Sequence, residues 1–99
     1  MSGWINEPIA IIENDQRVIE RLTYVIQSAI TSYRRNIDYV TTRYVGCNYN
    51  AAIAKRDALL LQYAASQNQA MEASVQAAEG GQYHVIATLK TIGAWTLET

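Results

Sequence analysis

A single cysteine, a single histidine and a single proline stand in 99 residues, and phenylalanine is missing altogether. Each shortage excludes something. One cysteine, Cys47, cannot form an intrachain disulfide, so the fold does not depend on oxidation. One histidine, His84, has no His, Cys or carboxylate at ligand spacing, so a metal centre is not expected. Cys47 and His84 together lack any motif that would mark a thiol nucleophile and its base. Gly80-Gly81 lacks the spacing and the lysine of a phosphate loop. Glu13 and Asp15, the nearest carboxylate pair, are two apart, and there is no EXXH motif of the ferritin-like kind. No catalytic, cofactor-binding or metal-binding residue is therefore nominated, and the chain is expected not to be an enzyme.

Charge is scarce as well. Charged residues make up 17% of the chain while apolar residues make up 49%, against a usual charged share of about 25%. So little polar surface favours burial against other chains. The net charge of −1 provides no basic field for nucleic acid. The one basic and aromatic cluster, Arg34, Arg35 and Arg43 among Tyr33, Tyr39 and Tyr44, has Asp38 to balance it, and a nucleic-acid partner is not expected. No stretch approaches the ~20 apolar residues of a membrane span. No N-terminal segment resembles a signal peptide, which points to the cytoplasm or to an assembled particle.

Seven tyrosines and two tryptophans are present. These side chains combine an apolar body with a polar edge and suit half-buried and interface positions. A long apolar stripe is also present: Val18 and Ile19, Leu22, Val25 and Ile26, Ala29 and Ile30, Tyr33, Ile37, Val40, Tyr44. Its steps of three and four match the ~3.6 period of a helix, and the doubled positions widen it beyond a coiled-coil seam.

These features predict an all-α single domain over residues 1–99. An arm at 1–7 carries Trp4 and Ile5 ahead of an Asn6 cap. Helix 1 spans 8–45, with Glu13–Arg17 and Arg34–Asp38 as surface pairs. A turn at 46–50 follows, and then a breaker-free helix at 51–78, rich in Ala, Leu and Gln. The apolar segment 79–99, anchored by Trp95 and Leu97, is read as a short third helix. Its β-branched content also suits a strand, and it is expected to reach a neighbouring chain.

The expected architecture is a long antiparallel helical hairpin that packs, in coiled-coil fashion, into a homo-oligomeric bundle. Ile19, Leu22, Ile26, Tyr33, Val40, Leu60, Met71 and Trp95 are the expected interface residues. The function that follows is non-catalytic self-assembly as an oligomer, ribbon or filament subunit. The alternative is a small helical protein-binding module, such as a secretion chaperone or a phage-encoded inhibitor of a host protein.

Overall fold

A computed structural model describes residues 8–98. The proposed N-terminal arm and Asn6 cap lie outside the described residues. Strand accounts for 65% of the structure and helix for 20%. The all-α expectation, with its helical hairpin and coiled-coil packing, is therefore wrong. Five strands and one helix follow in the order β1 (Ile9–Ile26), β2 (Ala29–Cys47), α1 (Tyr49–Tyr63), β3 (Gln69–Ala77), β4 (Tyr83–Ile92) and β5 (Thr96–Glu98). The sheet runs β1-β2-β4-β3, and β5 pairs with β2 beyond the end of β4. All of these pairings are antiparallel.

The segment read as helix 1 is a β-hairpin whose strands are 18 and 19 residues long. Its residues are rich in Ile, Val, Thr and Tyr, which suit a pleated surface. The doubled apolar positions explain the misreading. In a strand, adjacent residues point to opposite faces, so Val18/Ile19 and Val25/Ile26 place one side chain on each face of the sheet. They do not widen one stripe. Nor is the turn announced by Gly, Pro or Asn. It is Gln27-Ser28, with φ of 52° and 67°, the left-handed pair of a two-residue type I′ turn. The pairing runs from Ile26↔Ala29 to Ile9↔Val45, with a bulge at Glu13.

Charges help to set that register. Arg17 and Asp38 lie directly opposite and are joined by two hydrogen bonds, Nε to Oδ1 at 2.7 Å and Nη2 to Oδ2 at 3.2 Å. Arg35 donates to Glu20, its cross-strand neighbour, at 2.7 Å. Arg43 pairs with Glu13 at the bulge. The expected helical pairs Glu13–Arg17 and Arg34–Asp38 are thus replaced by cross-strand ones. A slip of one residue would separate these partners and turn each side chain to the other face.

The second predicted helix is half right. Asn48 caps α1 by accepting from the Ala51 amide at 2.8 Å, and α1 ends at Tyr63. Beyond it, Ser66 and Asn68 make the turn into β3. Ser66 Oγ accepts from the Gln69 amide at 3.1 Å, and the Asn68 carbonyl accepts from the Ile92 amide at 2.7 Å. In β3 the odd-numbered Met71, Ala73 and Val75 are half-buried, while Glu72, Ser74 and Gln76 are exposed. This period of two was hidden beneath a helix-favouring composition.

The last segment is β4 and β5, not a third helix, and its partners lie within its own chain. β4 is a central strand between β2 and β3. Gly93 makes the passage into β5 possible. Its amide donates to the Asn36 carbonyl at 2.7 Å, and a Cβ there would lie 3.0 Å from that oxygen.

Helix α1 lies over β3 and β4 on one face of the sheet. Between them sits a small core of Cys47, Ala52, Leu59, Val85 and Ala87, flanked by Tyr44, Met71, Ala73, Val75 and Tyr83. Ile37 is buried on the opposite face, between Val18 and Ile92 by register.

Candidate interaction surface

Strand β4 stops at Ile92, opposite Ile37. The hairpin continues for residues 19–36 past that point, flanked among the described residues only by the three residues of β5. This arm dominates the dimensions of the molecule, which measures 69 × 25 × 20 Å. The Cα radius of gyration is 19.1 Å, whereas a compact chain of this length would have about 13 Å.

Strand alternation gives the arm two faces. On the face away from the helix, Leu22 lies opposite Tyr33, and Tyr33 lies opposite Leu97. Tyr24 meets Tyr33 edge-on, with ring centroids 6.1 Å apart, and Ile26 continues the row to the tip. On the helix-side face stand Ile19, Val25 and Ile30. Every residue from Arg21 to Ile30 is exposed, including Ile26 at 68% and Ile30 at 71%. No layer covers either face among the described residues.

The residues expected to form an interface therefore separate. Leu22, Ile26 and Tyr33 come together on one face of the arm, and Ile19 lies on the other. Trp95 is at the base of the arm, in the β4–β5 connection, with the Arg35 guanidinium 4.5 Å from its ring centroid. Leu60 is on the outward side of α1, whose inward residue is Leu59. Val40 and Met71 both lie opposite Leu89 on the helix-side face, and Met71 packs on the chain's own core. Tyr24 was missed, and Val25, Ile30 and Leu97, although named in the apolar stripe and as an anchor, were not among the expected interface residues. For Tyr24, Val25 and Ile30 the signal was strand alternation on both sides of Gln27-Ser28.

The remaining chemistry is dispersed. Cys47 lies opposite Tyr83 in the core. His84, the next residue in β4, points to the other face, where the Arg43 guanidinium donates to its Nδ1 at 3.2 Å. Burial pushes the Cys47 thiol up, although Lys55 acts weakly in the opposite direction. Such a thiol is a poor nucleophile. The Arg/Tyr cluster is also divided, with Tyr33, Arg35, Tyr39 and Arg43 on one face of β2 and Arg34 and Tyr44 on the other. On the helix-side face of the sheet, an open cleft of about 550 Å³ is lined by Asp15, Arg17, Asp38, Val40 and Thr91. Arg17 and Asp38 are paired within its lining. The hydrogen bond from Arg17 holds the Asp38 carboxyl below the usual carboxylate range.

Among the described residues, no helix is long and apolar enough to cross a membrane. Comparison with known protein families, curated proteins and solved structures finds no match.

Proposed function

We propose that this protein is a non-catalytic structural subunit that assembles with copies of itself, and that the hairpin arm is the part covered on assembly. The observation carrying this reading is an arm that exposes a row of apolar side chains on one face and Ile19, Val25 and Ile30 among polar residues on the other, with no core beneath it among the described residues. Two-stranded ribbons are marginal in water by themselves. Leu22, Tyr24, Ile26 and Leu97 on one side, with Ile19, Val25 and Ile30 on the other, are more exposed apolar surface than a soluble monomer ordinarily presents. Burial against another copy would remove that surface from water at about 25 cal/mol per Å².

Light scattering coupled to size-exclusion chromatography tests the proposal. The intact chain should elute with the mass of an oligomer. Ile26→Asp should shift it to smaller species without changing the far-UV spectrum, because Ile26 is exposed at the tip of the arm. Leu61→Asp, at a helix site 79% exposed, should leave the assembly intact. A monomeric wild-type chain would overturn the proposal.

A further inference from the structure

Among the described residues nothing lies on the outer edge of β1, the terminal strand of the sheet. We propose that this edge pairs with β1 of a second copy, antiparallel about a twofold axis at Val18, to make one continuous sheet. The inference rests on the self-assembly reading above and adds its partner strand and register.

Backbone geometry restricts the possible registers. A two-residue turn closes on a hydrogen-bonded pair, here Ile26 and Ala29. Pairs then alternate along an antiparallel ladder. The even-numbered residues from Ile26 back to Asn14 bond inward to β2, and the odd-numbered residues from Val25 back to Asp15 turn their N–H and C=O groups outward. A twofold axis normal to the sheet must then pass through a residue, so that each residue meets one on the same face.

Side-chain charge selects among those axes. An axis at Arg17, Glu20 or Arg21 sets that residue against its own copy. An axis at Ile19 sets Arg17 against Arg21. Like charges directly opposite are unfavourable. An axis at Val18 instead places Asp15 opposite the second copy's Arg21, twice over, with Arg17 against Ile19 and Gln16 against Glu20. An axis at Gln16 also sets Asp15 against an arginine, Arg17, but the bulge at Glu13 confines its regular pairing to Asn14–Val18, and an axis at Leu22 avoids like charges but leaves Asp15 and Arg17 outside the pairing.

Within one chain, Arg21 lies directly opposite Arg34. Among the described residues only Glu98, 3.3 Å from Arg21, offsets that like-charge pair. Asp15 has no ion pair among the described residues. The dimer would bring the surplus anion to the surplus cation. The bulge at Glu13 would end the regular pairing at Asn14 opposite Leu22.

Cysteine cross-linking of the full chain tests the register. At the Val18 axis, the two copies of residue 18 form a non-hydrogen-bonded pair with Cα atoms about 4.5 Å apart, within disulfide reach. Val18→Cys, oxidised with copper phenanthroline, should give a covalent dimer on a non-reducing gel. Gln16→Cys and Leu22→Cys should give roughly tenfold less, since their copies lie well beyond the ~7 Å limit. The wild-type chain, whose Cys47 is buried, serves as the blank. Asp15→Arg should reduce Val18→Cys cross-linking by about tenfold by opposing like charges at two symmetric sites, and Asp57→Arg on α1 should not. An assembly seen by light scattering with no Val18→Cys dimer, or with a Leu22→Cys dimer in its place, would overturn this pairing and leave the self-assembly reading standing. A monomer by light scattering would overturn both.

Discussion

Replacing Leu59 with alanine should cost far more than the same change at Leu60, although the two are adjacent in α1. Leu59 is 6% exposed and belongs to the core with Cys47, Ala52, Val85 and Ala87. Leu60 is 38% exposed. Truncating a buried leucine removes three carbons and leaves a cavity, at a cost of 2–5 kcal/mol in well-packed sites, or about 3 kcal/mol here, where the core is a single helix on a sheet. For a domain of this size, 1 kcal/mol corresponds to roughly 4–8 °C in Tm, so Leu59→Ala should lower Tm by ~12–24 °C. Leu60→Ala should stay within about 1 kcal/mol of wild type. Thermal melts followed by circular dichroism provide the comparison. Equal losses at the two positions, or a larger loss at Leu60, would refute the orientation of the helix on the sheet.

Gln27→Asn with Ser28→Gly should raise stability by about 1 kcal/mol, read from the urea midpoint, because those residues accept the left-handed backbone more readily. Destabilisation would show that the turn is not of this type. Cys47→Ser should cost about 1–3 kcal/mol by burying a hydroxyl in an apolar core. A thiol reagent should label Cys47 only on unfolding, and rapid labelling of the native protein would contradict its burial.

The Arg17 hydrogen bond lowers the folded-state pKa of Asp38 relative to the unfolded chain. The associated stability is therefore present above the ordinary aspartate value of about 4 and is lost as pH falls through the lower folded value. Asp38→Asn should flatten the acid limb of the stability profile, by little because the pair is solvent-screened. An unchanged limb would remove the pair from the account.

What the sequence disclosed was surface chemistry more than architecture. Low charge, tyrosine in place of phenylalanine and an unbroken apolar series between Val18 and Tyr44 pointed to surface in need of a partner. Leu22, Ile26 and Tyr33 share one face of the arm. The fold was misread because apolar residues on both faces of a ribbon can produce three- and four-residue steps when doublets are counted as one position. β-branched content was the better guide in residues 9–45, as it was in 83–92. The Gln27-Ser28 turn carried no breaker signal, so the hairpin looked continuous. In β3, alanine and glutamine favoured helix locally, but pairing with β4 and contact with α1 outweighed that preference. Removing everything after Glu79, which a helical hairpin would tolerate, instead deletes the central strand of the sheet.

Hydrogen exchange measured at low and high protein concentration tests the central claim most directly. If copies cover the arm, amides of residues 19–36 should gain protection as concentration rises, while those of β4 should be protected throughout. Rapid exchange of the arm amides at every concentration, with β4 still protected, would contradict the account.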